Sequence, residues 1–252
     1  MRPLPLLLMS AAFLPSFAAR AATPRSDAPA AYKDATAALG KLHDVHFMKR
    51  HAQILQRDKQ GPVGLVFLGD SITEMWSKAP EVWKSNFAAY HPANFGIGGD
   101  FTQNVIWRIE NGELDGISPR VVVLMIGTNN TLANTAPEIV SGIHRILDLI
   151  RARQPQARIL LLALLPRGPR WQPYNQTFDD AVHRMQVIRE VNRLLPPLAD
   201  GHTIRFLDLT ADFTGPDGQV RADLLADKLH PSPAGYAVIA KEISPLLREM
   251  MR

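Results

Sequence analysis

The sequence predicts an α/β protein: a three-layer α/β/α sandwich built on a five-stranded, mostly parallel, flavodoxin-like sheet. Short runs rich in Val, Ile and Leu alternate with longer segments of helical periodicity. Runs such as Val121-Val122-Val123-Leu124-Met125-Ile126 are apolar without a break, as a central parallel strand covered on both faces must be. The residues best suited to chemistry all follow the ends of predicted strands, where open parallel sheets bind ligands.

Residues 35–57, Ala-rich at the start, are expected to form a helix that packs beside the sheet. Strands are expected at 63–68, 93–96, 121–126, 158–164 and 203–207, each a short apolar or β-rich run. Helices are expected between and after them at 82–90, 105–111, 137–153, 179–195 and 233–250. The last of these has Ser232 placed as N-cap and Pro233 at its first turn. Residues 166–177 and 210–229 read as irregular surface loops, both following strands. No repeat or linker interrupts residues 35–252, which read as a single domain.

The chain has 252 residues, 46% of them hydrophobic, enough for one sizeable core. Residues 1–21 read as a secretory signal: Arg2, an apolar stretch over 4–17, and small residues around Ala19-Arg20-Ala21, with cleavage after Ala21 or, as second choice, after Ala18. That stretch is too short and too broken by proline to span about 30 Å of hydrocarbon, so no stable membrane anchor is expected. The implied product is exported, periplasmic or secreted, with residues 22–34 as a flexible mature terminus. Removing residues 1–21 takes away Arg2 and Arg20 and leaves 26 basic against 24 acidic residues, a formal charge of +2. Near-neutrality without a basic, aromatic-laced stripe speaks against nucleic acid as a partner.

The chain has no cysteine, which excludes thiol nucleophiles and thiolate metal sites. His43, His46 and His51 lack carboxylates at ligand spacing, so no metal is expected. No Gly-x-Gly-x-x-Gly follows the first strand, so no dinucleotide is expected, and no cofactor of another kind is expected either. Trp76, Trp83, Trp107 and Trp171 read as core or loop packing rather than a carbohydrate platform.

The first strand runs into Gly69-Asp70-Ser71, and Asp227-Lys228-Leu229-His230 stands just before the last helix. A serine hydroxyl is a weak nucleophile at neutral pH and needs a base, and the base needs an orienting carboxylate. Ser71, His230 and Asp227 supply these three parts. The three-residue spacing lets Asp227 hold one imidazole nitrogen while the other faces Ser71. A helix starting at Ser71 would also aim backbone N–H groups at developing negative charge. Glycine-rich turns follow the second and third strands at Asn94-Phe95-Gly96-Ile97-Gly98-Gly99-Asp100 and Gly127-Thr128-Asn129-Asn130. A side-chain amide at a strand end can donate to an oxyanion.

These blocks resemble those of the SGNH hydrolases, also called GDSL esterases: Gly-Asp-Ser after strand one, Gly99-Asp100, Gly127 to Asn129, and Asp227 to Pro231. The stretch Asn94 to Asp100, with Trp107-Arg108-Ile109-Glu110-Asn111-Gly112-Glu113-Leu114 and Leu164-Leu165-Pro166-Arg167-Gly168, is similar to the catalytic subunits of type I platelet-activating-factor acetylhydrolases. The resemblance implies Ser71 as nucleophile, His230 as base and Asp227 as its orienter. It also implies an oxyanion hole from the N–H groups of Ser71 and Gly99 and the amide of Asn129. The expected activity is hydrolysis of a small-molecule ester through an acyl-enzyme. Ile72, Thr128 and Leu229 adjoin these residues and are expected to crowd the acyl pocket and favour acetyl groups. Carbohydrate O-deacetylation, lysophospholipase or thioesterase activity, and a non-catalytic glycan- or lipid-binding module are the alternatives. A homodimer is compatible with the sequence.

Overall fold

A computed structural model describes residues 30–169, 171–172, 177–178 and 180–252. The expected signal segment and residues 22–29 lie outside the described residues. Five parallel strands form the main sheet in the order β2-β1-β3-β4-β7. They are β1 (Leu65–Gly69), β2 (Pro92–Gly96), β3 (Val121–Met125), β4 (Arg158–Leu162) and β7 (Ile204–Leu207). The helices are α1 (Val45–Arg57), the single turn α2 (Ser71–Glu74), α3 (Pro80–Phe87), α4 (Thr102–Glu110), α5 (Ala136–Arg153), α6 (Ala181–Leu194) and α7 (Pro233–Met250).

Every residue of β1 and β3 is buried, and successive side chains enter opposite layers. Val66, Leu68, Val122, Leu124, Ile159 and Leu161 join the apolar cluster shared with α1, α4, α5 and α6. Leu65, Phe67, Val121, Val123, Leu160 and Leu162 join the cluster under α3 and α7, where Trp76, Phe87 and Tyr236 pack. The sheet order is the expected flavodoxin-like one: the chain steps from β1 outward to β2, then back across β1 to β3. That reversal opens a crevice at the carboxyl ends of β1 and β3.

The helix expected over 35–57 begins only at Val45, where the Asp44 carboxylate accepts the Phe47 N–H at 2.9 Å. Residues before it form a strap whose carbonyls accept side-chain donors from elsewhere. The Ala35, Leu39 and Tyr32 carbonyls take the Thr102 hydroxyl and the Asn104 and Gln103 amides at 2.7–3.0 Å. A helix would have turned those carbonyls inward on itself, so the tertiary partners win. The docked Tyr32 also places part of the expected flexible terminus against the fold. Within the expected loop 166–177, β5 (Trp171–Gln172) pairs antiparallel with β6 (Thr177–Phe178). Residues 210–229 form turns with one isolated bridge, Thr214 to Val220.

Candidate active site

The chain leaves β1 through Gly69, where a Cβ would fall 2.3 Å from both the Met125 carbonyl oxygen and Thr73 Oγ1. Glycine is what lets this turn tuck against β3. Asp70 caps α2, its carboxylate accepting the Ile72 N–H at 2.9 Å. Burial pushes the Asp70 carboxyl up to about 7; the Ile72 N–H opposes that shift and the nearby Asp100 adds to it. The Tyr236 hydroxyl of α7 donates to the Ile72 carbonyl at 2.7 Å and fixes the turn from the other side. Burial together with the Asp70 and Asp227 charges holds that phenol above its usual range.

Ser71, at the first position of α2, is 8% exposed. Its Oγ lies 2.9 Å from His230 Nε2, and His230 Nδ1 lies 2.7 Å from Asp227 Oδ2. A carboxylate at Nδ1 favours the tautomer with the proton there, which lets Nε2 accept the serine proton. The turn carrying Asp227 and His230 is locally built. Asp227 Oδ1 accepts the N–H groups of Leu229 and His230 at 3.1 and 2.7 Å. Lys228 makes that closure possible by taking φ +63°, a left-handed conformation unusual for a residue with a side chain. Its carbonyl accepts the Gly168 N–H at 2.8 Å, which ties the turn to the segment after β4.

Beyond β2, residues 97–100 turn beside the serine, so that a Cβ on Gly98 would stand 3.9 Å from Ser71 Cβ. Gly99 has φ +70°, which favours glycine. The two asparagines after β3 divide their work. Asn129 Nδ2 donates to the Asp100 carbonyl at 2.9 Å, which joins it to the loop that carries Gly99. Asn130 Oδ1 accepts the Thr102 N–H at 2.9 Å, and its amide nitrogen lies 3.0 Å from Gln103 Oε1 and from Asn134 Oδ1. Asn130 therefore stitches the loop after β3 to the start of α4.

Beneath this loop lies an ion network that sequence reasoning missed. Arg108 Nε stands 2.9 Å from Asp100 Oδ2, and its Nη1 pairs with Glu113; all three side chains are fully buried. The same guanidinium donates to the Phe95 and Gly69 carbonyls at 3.0 and 3.2 Å, at the ends of β2 and β1. Lys41 Nζ adds a second cation 2.8 Å from Asp100 Oδ1. Burial drives the Asp100 carboxyl upward, and Arg108 and Lys41 pull it back. Glu74 accepts the Gly98 N–H at 2.7 Å and faces His46. One signal was readable: Arg108 lies three residues after Val105 and beside Ile109, on the apolar face of α4, where a charge needs a buried partner.

The three expected acyl-pocket residues are buried, Ile72, Thr128 and Leu229 being 3%, 2% and 4% exposed. Ile72 and Leu229 belong to the cluster under α3 and α7, so they can shape an acyl site only from its floor. The small void beside Ile72, lined with Trp76, Met125 and Tyr236, holds about 10 Å³, near the limit for one water. The Thr128 carbonyl accepts from Thr131 Oγ1 and Arg184 at 2.7 and 3.0 Å. His51 contacts Glu113 at 2.8 Å, and no group of three or more His, Asp and Glu converges on a cation position among the described residues. Of the tryptophans, Trp76 is core, Trp83 packs on Phe67 and Phe87, and Trp107 packs on Phe47 and His51.

The model of the GDSL-like lipase/acylhydrolase family matches residues 67–238. The platelet-activating factor acetylhydrolase IB subunit alpha2 of Rattus norvegicus is 37% identical over 208 residues, 82% of this chain and 86% of its own. The subunit alpha1 of Homo sapiens is 37% identical over 209 residues, 82% and 85% of the two chains. Among solved structures, a GDSL-like lipase from Bacteroides thetaiotaomicron superposes with a TM-score of 0.63 at 23% identity, covering 80% of this chain and 97% of that one. That likeness is one of fold.

Proposed function

The chain belongs to the GDSL-like lipase/acylhydrolase family and is a carboxylic ester hydrolase, and from that premise we propose that it removes short acyl groups, foremost acetyl, through Ser71, His230 and Asp227. The observation that carries the reading is the continuous contact from Ser71 Oγ through the imidazole of His230 to Asp227, at 2.9 and 2.7 Å. In this mechanism Ser71 Oγ attacks the ester carbonyl while His230 Nε2 takes its proton. Asp227 orients the ring and stabilises the imidazolium. The N–H groups of Ser71 and Gly99 and the Asn129 amide receive the oxyanion. His230 then protonates the departing alkoxide, and water, deprotonated by the same ring, releases the acid from Ser71.

One observation supports an acetyl-sized acyl group: the rat and human relatives are named acetylhydrolases. Export is a separate proposal, which rests on the signal pattern of residues 1–21. The test is turnover of p-nitrophenyl acetate together with labelling by a serine-reactive organophosphate. Parental protein should turn over the ester and take one label at Ser71. Labelling at another serine with Ser71 untouched would move the nucleophile.

A further inference from the structure

The oxyanion loop contains one peptide unit that has to be aimed: the unit that ends in the Gly99 N–H begins with the Gly98 carbonyl. Because a trans peptide is planar, that carbonyl and that N–H point in opposite directions, and fixing one fixes the other. With glycine on both sides, a rotation of this unit meets little steric resistance. A donor that stabilises a transition state must already point at the oxyanion before the reaction begins. Something must therefore hold the Gly98 oxygen.

Lys41 Nζ donates to the Gly98 carbonyl at 3.1 Å and sits 2.8 Å from Asp100 Oδ1. Its side chain is 16% exposed, and the ammonium lies 4.9 Å from the centre of the Phe47 ring. On the other side of Gly98, Glu74 accepts the N–H of the preceding peptide at 2.7 Å. Lys41 lies outside the family-matched residues 67–238, on the strap that precedes α1. The strap is anchored to the start of α4, just past the oxyanion loop. Leu39 N–H donates to the Gln103 carbonyl at 3.1 Å, and the Asn104 amide returns to the Leu39 carbonyl at 2.7 Å.

We propose that Lys41 is a positioning residue of the oxyanion hole, clamping and polarising the Gly98–Gly99 peptide; this rests on the esterase reading above. A cation on the carbonyl oxygen draws electron density from the amide nitrogen and makes the opposite N–H a stronger donor. The same ammonium offsets the charge of Asp100, a fully buried carboxylate one residue from Gly99 that would otherwise oppose a second negative charge nearby. Lys41 touches neither the ester nor the reacting atoms.

The experiment uses the full chain with p-nitrophenyl acetate and an organophosphate, with Lys41→Met, Lys41→Arg and Ser71→Ala assayed side by side. Lys41→Met should lower kcat about 10-fold to 100-fold, less than the 10²–10³ lost with a direct oxyanion donor, and leave KM within about threefold. Organophosphate inactivation should slow by the same factor as kcat/KM, and Lys41→Arg, which can keep the cation at the carbonyl, should recover most of the rate. A Lys41→Met kcat within about twofold of parent, a loss confined to KM, or Lys41→Arg as slow as Lys41→Met would each overturn the proposal. If Lys41→Met does not fold, the double variant Lys41→Met/Asp100→Asn removes the ion pair as a neutral unit. It should be at least about 10-fold slower than Asp100→Asn alone if the clamp on Gly98 matters, and equal to it if Lys41 serves only the carboxylate. Ser71→Ala separates the two levels: if it turns over at the parental rate the esterase reading fails, whereas inactive Ser71→Ala beside fully active Lys41→Met sinks the clamp alone.

Discussion

The two halves of the site are built in opposite ways. The half that carries Ser71, Gly99 and Asn129 sits on the ends of three adjacent strands, over an ion network whose Asp100, Arg108 and Glu113 side chains are fully buried. The half that carries His230 hangs from a long irregular segment, and the Asp227 side chain is 42% exposed. It is held chiefly by its own turn, through the two N–H groups that Asp227 accepts. Oxyanion donors have to be aimed by fixed backbone from several elements, because they act on a charge that exists only in the transition state. A base needs only the right tautomer and reach, which one local turn can give.

Four substitutions and one substrate series probe this division. Ser71→Ala lies where the halves meet and should cost about 10⁴-fold or more in kcat/KM, since triad members act as a unit. Parental hydrolysis of activated acetate esters by the purified variant would dissolve the comparison altogether. Arg108→Met leaves Asp100 and Glu113 buried with their main cation gone, and should lower unfolding stability by about 3–5 kcal/mol in a urea titration. A loss under about 1 kcal/mol would mean that the buried half does not depend on this network.

Asn129→Ala should lower kcat by roughly 10²-fold to 10³-fold with a smaller change in KM, as for a donor used mainly in the transition state. Equal kcat would remove Asn129 from the hole and leave it a loop tie to Asp100. In a series of p-nitrophenyl esters, butyryl and octanoyl should fall below acetyl by roughly 5-fold to 150-fold in kcat/KM, the rate equivalent of a repacking cost of about 1–3 kcal/mol. A maximum at octanoyl would place the acyl chain away from Ile72 and favour a lysophospholipase or thioesterase.

The last test is one of pH and concerns Asp70. Its carboxyl titrates near 3.8 when unfolded and at about 7 in the fold, so the native state holds a proton that the unfolded chain has released. Stability is therefore lost as pH rises from about 4 to about 7 and stays level above that. Asp70→Asn keeps a good N-cap and removes the titration. Its thermal midpoint should exceed the parent's most at pH 8, with the gap closing toward pH 4. A gap that is the same at both pH values would show that Asp70 is ionised throughout.

Local sequence determined the parts whose causes are local. Continuous apolar runs named β1, β3 and β4, because a buried parallel strand has no polar face, while the edge strands β2 and β7 carry Asn94 and Arg205 and showed only as short β-rich runs. Ser232 and Pro233 marked the start of α7, and the spacing of Asp227 and His230 put Oδ2 within reach of Nδ1 across one turn, which the left-handed Lys228 closes. Only the tertiary structure decided what depends on residues distant in sequence. The strap over 35–44 could not be told from a helix, since what keeps it unwound is Thr102, Gln103 and Asn104, more than 60 residues away. Asn129 and Asn130 are neighbours with the same side chain, yet adjacent positions on a tight turn point apart, and the partner each finds sets its task. Ile72 and Leu229 adjoin Ser71 and His230 in sequence, but packing under α3 and α7 turns them toward the core. Lys41 and Asp100 carry charges that in the sequence look like solvated ones, and the place of Arg108 on the apolar face of α4 does not name its partners. It is burial, which makes an unpaired charge prohibitively costly, that drew them together beneath the loop after β2.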